Sequence, residues 1–322
     1  MSREEIIRHL GSDWSSMSEC LKGALNSDVQ LLNSVNCTVL SHSGKMLRPM
    51  VTLLMARACG TPNEDTYRYA AALELLHNAT LMHDDVADSS SERRGLPTVS
   101  ALLGPSAAVL VGDFWLSAAV QLVLESNSYQ HVVGLFSRSL TELAEGEMVQ
   151  MEKASKADTD ESDYLRIISC KTATLFRSAG ELAARSVNSS ESYISAARKY
   201  GLSFGIAFQI RDDILDYTGT DELGKPTGVD LKEKKITLPL LGALNGSERE
   251  GEIRSMILEL DGHPEFEEQI REFVLQRKGI EYAESRLEYY VNDAISALDP
   301  LPASADKDYL VQIARYNMLR NI

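Results

Sequence analysis

The stretch Asn63-EDTYRYAAALELLHNATLMHDDVA-Asp88 decides the reading of this 322-residue chain. Ala70, Leu73, Leu76 and Leu81 recur at helical spacing, which predicts one helix from about Asn63 to Asp88. It closes on Asp84-Asp85-x-x-Asp88, and residues four apart lie about 40° from each other around a helix axis. Asp84 and Asp88 therefore share one face.

A second copy of the pattern stands far along the chain, where Phe204-GIAFQIR leads into Asp212-Asp213-x-x-Asp216. An acidic run is most often a solvated helix face. These two, however, end apolar helical stretches with no charge partner close in sequence, and carboxylates so placed repel one another. A shared cation removes that repulsion. Hard carboxylate oxygens suit Mg²⁺, which keeps several waters and completes its shell with phosphate oxygens. Two such helix ends facing each other would hold Mg²⁺ around a diphosphate.

The rest of the chain agrees with helices. Leu10, Trp14, Met17, Leu21 and Leu25 fall three and four apart, so residues 1–26 read as an extra N-terminal helix. Further helical stretches run through Val35 and Leu40, from Pro49 to Gly60, past Trp115, from Asp163 to about Ala184, and from Glu191 to Tyr217. Residues 89–98 and 218–236 read as loops, and four shorter helical stretches follow. No strand-like alternation or repeat is found. Together these predict an all-α, single-domain helical bundle over 1–322, whose core builds metal sites from facing helices.

Composition limits the partners. A formal charge of −15 argues against nucleic acid, which needs basic surface. Four widely spaced cysteines without a C-x-x-C pair fit buried thiols in a reducing compartment. No leader and no apolar run of about 18 residues is evident, so a cytoplasmic protein without a transmembrane segment is expected.

Against this acidity, basic residues beside the helices stand out as a phosphate cradle. They are Lys45 and Arg48 before Pro49, Arg93 and Arg94 after the first acidic motif, Lys171 with Thr172, and Lys225 and Lys235 after the second. His77 lies two turns before Asp84 on nearly the same face. A lone Lys is usually solvated, Arg93 has Asp88 as a possible simple partner, and a His on an apolar face is often a core residue. His83 reads equally as a support for Asp84 or as packing.

In order, Gly-Lys-x-x-Arg-Pro from Gly44, His-Asp-Asp-x-x-Asp with Arg-Arg-Gly-x-Pro-Thr, Gly112-Asp113, Gly146-Glu147-x-x-Gln150, Lys171-Thr172-Ala173, Phe208-Gln209-x-x-Asp-Asp-x-x-Asp and Gly224-Lys225-Pro226 resemble the trans-isoprenyl (polyprenyl) diphosphate synthases. The resemblance implies an all-α isoprenoid synthase fold with a central cavity, usually a homodimer. It implies that Asp84, Asp85, Asp88, Asp212, Asp213 and Asp216 organise three Mg²⁺ around an allylic diphosphate such as geranyl or farnesyl diphosphate. Arg93, Lys171 and Lys235 would contact that diphosphate, while Lys45, Arg48, His77 and Arg94 would hold isopentenyl diphosphate. Thr172 and Gln209 would lie near the developing carbocation, and Lys225 would bind phosphate or close a loop.

Ser43 and Met46 depart from the family pattern, as does Lys234 where glycine is frequent; Lys235 aligns best, with Lys234 the alternative. The implied reaction is ionisation, condensation and proton loss. Thr80 and Ala79, four and five residues before Asp84, are small where short-chain members carry an aromatic, which implies an open tunnel and a long product. Leu76, Leu116 and Val120 are deeper candidates for its wall. Two other readings are a regulatory subunit without activity and a class I terpene cyclase; the first loses acidic-motif residues, and the second needs no second phosphate cradle.

Overall fold

Asn63 starts the decisive helix by capping it. Its side chain accepts from the amides of Asp65 and Thr66, and Thr66 Oγ1 accepts from the Asn63 amide in return. The helix then runs from Glu64 to Ala87, with Asp88 as its C-cap. The computed structural model describes residues 2–42, 44–93, 95–219 and 228–319. Ser43, Arg94 and Lys225 lie outside them.

The described elements are α1 (Arg3–Leu10), α2 (Ser12–Ala24), α3 (Gln30–Ser41), α4 (Leu47–Cys59), α5 (Glu64–Ala87), β1 (Glu92–Arg93), β2 (Leu96–Pro97), α6 (Val99–Leu103), α7 (Pro105–Leu124), α8 (Tyr129–Lys156) and α9 (Glu161–Ile168). A π-helical turn, Ser169–Ala173, leads into α10 (Thr174–Ser186). Then come α11 (Glu191–Thr218), α12 (Val229–Lys232), α13 (Leu238–Leu244), α14 (Glu250–Leu258), α15 (Glu265–Gln276), α16 (Gly279–Ala297) and α17 (Ala305–Leu319). The all-α expectation holds.

The chain forms two compact units. The first comprises Met1–Ser137, Leu175–Lys199 and Leu298–Gln312; the second comprises Arg138–Thr174, Tyr200–Ala297 and Ile313–Ile322. In the first, α5 packs most extensively on α7 and also on α4 and α2. Leu73, Leu76, Met50 and Trp115 are fully buried there, each such side chain contributing roughly 1.5–3 kcal/mol. The Trp115 indole N–H is satisfied by Asn36 Oδ1 at 2.7 Å. Asp306 binds both His9 and Arg57, at 2.7 and 3.0 Å, fastening α17 to α1 and α4.

In the second unit α13 is the hub, packed on α16, α15 and α9. Asp160 caps α9 with a reciprocal bond pair to Asp163. Arg254 donates to the carbonyls of Ala157 and Thr159, which holds the turn before α9.

Several element boundaries differ from expectation. The N-terminal helix is two helices, because Gly11 adopts φ +54° between α1 and α2. The stretch from Asp163 to Ala184 is interrupted by the π turn. Residues 89–98 hold a two-residue hairpin, and five rather than four helices follow residue 236. The apolar-run expectation also fails by composition: α7 has a mean hydropathy of 1.8 over a span long enough to cross a membrane. Asp113 within it hid the run. Only 44% of that span is buried, on the side packed against α5 and α6.

Candidate active site

The first acidic motif sits at the end of α5. Asp88 closes the helix with its amide on the Asp84 carbonyl at 2.8 Å, and the Ser90 amide reaches the Asp85 carbonyl at 2.9 Å. The chain then doubles back through β1 and β2, which pair Glu92 with Pro97 and Arg93 with Leu96. This hairpin brings Arg93 onto the motif, where its Nε donates to Asp85 Oδ1 at 2.7 Å. Asp85, not Asp88, is the partner. Burial pushes the Asp85 carboxyl up, Arg93 opposes this, and Asp88 adds repulsion.

His83 lies against α7, with Nε2 3.3 Å from the Val109 carbonyl and 3.4 Å from Asp113 Oδ1. A Cβ on Gly112 would collide with its imidazole, so glycine is what lets α7 approach α5 here. His83 is thus a packing residue with a polar tie, and the Gly112-Asp113 pair has a local reason. His77 and Thr80 are half-buried two turns and one turn below Asp84, Thr80 Oγ1 donating to the His77 carbonyl at 2.8 Å. Ala79 is packed, with 1% exposure.

Lys45 is exposed ahead of α4, and Arg48 sits in the first turn of that helix. The Arg48 guanidinium stacks over the buried Phe176 ring at 4.7 Å from its centre.

In the second unit a pocket is lined by Gln150, Tyr164, Ile167, Ile168, Lys171, Thr172, Gln209, Asp213, Asp230, Lys235 and Ile236, among others. It brings together Lys171, Thr172, Gln209, Asp213 and Lys235 from three separate sequence stretches. The π turn presents Lys171 and Thr172, as such wide turns often do at functional sites. Close approach of α8 permits this: a Cβ on Gly146 would lie 2.7 Å from Cys170 Cβ and 3.0 Å from Lys171 Cγ. Next to it Glu147 pairs with Lys171 and accepts from Gln150 Nε2 at 3.2 Å. The Gly146-Glu147-x-x-Gln150 motif therefore shapes and neutralises the lysine seat.

Asp213 is 3% exposed. Tyr164 donates to its Oδ2 at 2.6 Å and Gln209 Nε2 to its Oδ1 at 2.8 Å. Thr172 Oγ1 in turn donates to Gln209 Oε1 at 2.6 Å. Burial drives the Asp213 carboxyl up to about 7; the Tyr164 and Gln209 bonds oppose this, and Asp212 and Asp216 add repulsion. Asp216 caps α12 through the amides of Val229 and Asp230, at 3.1 and 3.2 Å. Its carboxyl is likewise raised by burial. Burial raises Asp230 well above the usual range, reinforced by Asp213 and Asp216 and opposed by Lys235.

Lys235 pairs with Glu233, and its amide donates to the Asp230 carbonyl at 2.8 Å. Lys234 points elsewhere, to Asp261 at 2.6 Å and the Leu258 carbonyl at 3.3 Å, with φ +57°. Of the two candidate lysines, only Lys235 lines the pocket.

The sequence alone assigns no role to Tyr164, Asp230, Glu147 or Phe176. Tyr164 and Phe176 look like core aromatics in a helical pattern, and Asp230 stands in a charged run. The motif spacing around Glu147 was the one available signal.

An all-helical chain whose pocket joins lysines to clustered carboxylates defines a prenyltransferase of the isoprenoid synthase fold. The polyprenyl synthetase family model matches residues 29–274, and the chain belongs to that family. It is 35% identical over 323 residues to the octaprenyl diphosphate synthase of Haemophilus influenzae, covering all of this chain and 98% of the relative. A decaprenyl diphosphate synthase structure from Rhodobacter capsulatus superposes with TM-score 0.93 at 31% identity, covering both chains fully. A polyprenyl synthase from Caulobacter crescentus CB15, solved with calcium and isoprenyl diphosphate, gives TM-score 0.90 at 34% identity over all of this chain and 98% of that one.

Proposed function

We propose that the chain adds isopentenyl units, with Mg²⁺, to an allylic diphosphate such as geranyl or farnesyl diphosphate, giving a long all-trans polyprenyl diphosphate. One observation carries this reading: Lys171 and Lys235 share a pocket with Asp213 and Asp230 and with the neutral oxygens of Thr172 and Gln209. That combination seats an anion, a hard cation and a developing carbocation.

Mg²⁺ fits the donors present. Asp213 is a buried and Asp216 and Asp230 are half-buried oxygen donors, each held at raised pKa by burial and by nearby carboxylates, and a divalent ion relieves that. The Caulobacter relative bound calcium, another hard oxygen-seeking ion. Asp84, Asp85, Asp88, Asp212, Asp213 and Asp216 form the carboxylate set, for three ions with substrate bound. When bound, Mg²⁺ stabilises charge on a departing diphosphate.

The chain's own residues do the rest. Lys171 and Lys235 leave their Glu147 and Glu233 partners for the oxygens of the allylic diphosphate, and Arg93 joins them. Lys45, Arg48, His77 and Arg94 hold isopentenyl diphosphate, and Lys225 binds phosphate or closes its loop over the site. Holding both substrates together supplies much of the rate. Thr172 and Gln209 turn oxygens toward the carbon that becomes cationic. Ile167, Ile168 and Ile236 keep water from quenching it. The released diphosphate takes the proton that restores the allylic double bond.

Thr80 and Ala79 on α5 leave the product path open. The two units act as one catalytic domain in the cytoplasm. A second copy of the chain covers the outward apolar residues Val109, Leu110 and Leu124 of α7 with Leu102 and Leu103 of α6, which are 39–68% exposed.

The deciding experiment incubates purified protein with labelled isopentenyl diphosphate, geranyl and farnesyl diphosphate, and Mg²⁺, then sizes the products. Long labelled polyprenyl diphosphates that vanish with chelator support the reading. No incorporation identifies a regulatory subunit, and turnover of the allylic diphosphate without isopentenyl diphosphate identifies a cyclase.

A further inference from the structure

Tyr164 belongs to no motif quoted from the sequence, yet its hydroxyl ends a hydrogen-bond chain that runs through the pocket. It donates to Asp213 Oδ2 at 2.6 Å, Asp213 Oδ1 accepts from Gln209 Nε2 at 2.8 Å, and Gln209 Oε1 accepts from Thr172 Oγ1 at 2.6 Å. All four side chains line the pocket.

The direction of each bond follows from chemistry. A carboxylate only accepts, so Gln209 must offer Asp213 its NH₂ end. The amide oxygen then faces Thr172, and because that oxygen carries no proton, the threonine hydroxyl must donate to it. The remaining lone pairs of Gln209 Oε1 and Thr172 Oγ1 are what the pair has left to offer a substrate. With the Tyr164 hydroxyl on Oδ2, the Asp213 carboxylate keeps Oδ1 turned to Gln209, which leaves the amide oxygen toward Thr172.

We propose that Tyr164 is a positioning residue that fixes the polarity of the Gln209–Thr172 pair through Asp213. Its hydroxyl satisfies the second carboxylate oxygen in a place where an unpaired one is costly. This deepens the prenyl-transfer reading and rests on it.

The test is Tyr164→Phe, which keeps the ring and removes one oxygen, assayed beside the unaltered enzyme, Thr172→Val and the double variant. The lock predicts a fall in kcat of about tenfold, with KM for both diphosphates and the Mg²⁺ half-saturation within about twofold. The double variant should be no slower than Thr172→Val alone, since both act on one oriented pair. Wild-type kcat in Tyr164→Phe, or losses that multiply in the double variant, overturns the proposal.

Asp213→Asn gives an arm that does not depend on the folding of Tyr164→Phe. Adding Thr172→Val to Asp213→Asn should cost no further kcat, since both act on the same oriented pair, and losses that multiply in that double variant overturn the lock. If the unaltered enzyme incorporates no isopentenyl diphosphate, the parent reading fails and the lock falls with it. If it does and Tyr164→Phe matches it, only the lock fails.

Discussion

The two acidic motifs share one spacing and treat their middle carboxylate in opposite ways. Asp85 is held by a charged partner, Arg93, which a hairpin folds back from eight residues on. Asp213 is held by neutral donors, one a helical turn away and one from α9. The first arrangement keeps a cation beside the carboxylates and leaves it half-exposed. The second buries its carboxylate fully and orients dipoles instead of charge. An identical i, i+1, i+4 pattern thus serves charge placement at one helix end and hydrogen-bond direction at the other.

The largest effect should be common to both motifs. Asp84→Ala and Asp212→Ala each lower kcat/KM by about 10³-fold or more, measured by incorporation of labelled isopentenyl diphosphate at saturating Mg²⁺. Near-normal turnover in either variant removes that motif from the metal set.

The middle positions should then separate. Arg93→Gln is expected to raise KM for the allylic diphosphate about tenfold or more, with a weaker effect at high salt, because it removes charge. Tyr164→Phe is expected to spare KM. Matching kinetic signatures for the two variants would erase the distinction.

Stability against pH offers a third way to probe the contrast. Asp213 has a folded pKa raised from 3.8 to about 7, so between those values the folded chain retains a proton that the unfolded chain has lost. Stability of metal-free protein must therefore fall as pH rises from about 4 to about 7. Asp85, Asp216 and Asp230 shift in the same direction. Urea midpoints in chelator should show the decline, and Asp213→Asn should flatten it more than Asp85→Asn.

Product length probes the α5 side alone. Thr80→Tyr should shorten the product by one or more isoprene units, read by chromatography of dephosphorylated products. Ala79→Tyr should do so with a loss of stability, because Ala79 is already packed and overfilling costs about 1–3 kcal/mol. The smallest effect is assigned to Phe176→Leu. Losing the ring under Arg48 should raise KM for isopentenyl diphosphate about threefold, from about 0.5–1 kcal/mol of cation–π attraction.

Much of this molecule can be read in one dimension. α5 and α11 announce themselves by long apolar periodicity, and Asn63 caps where a capping residue should stand. The pocket residues Lys171, Gln209, Asp213 and Lys235 were legible because their spacings repeat a family order. Tyr164 was not, since a buried tyrosine in a helical pattern looks like packing until its hydroxyl finds Asp213, 49 residues on. The π turn was hidden for a similar reason: Ser169 to Ala173 contains no Gly or Pro, so nothing local marks a widened backbone. The N-terminal break at Gly11 is hidden in the sequence because the apolar spacing continues across it and a glycine inside a helix costs only about 1 kcal/mol.

That widened turn amounts to a phase shift carried inside an otherwise continuous rod. A π bulge accommodates one extra residue without ending the helix. Deleting Ser169 or Cys170 should therefore leave a smooth α-helix from Glu161 to Ser186 whose two ends keep nearly their present facing, because the widened turn already takes up the roughly 100° that one residue adds. The packing of both ends would survive, and only the wide turn that presents Lys171 and Thr172 to the pocket would be gone. Loss of one local widening is a way for this enzyme to lose its chemistry while keeping its fold.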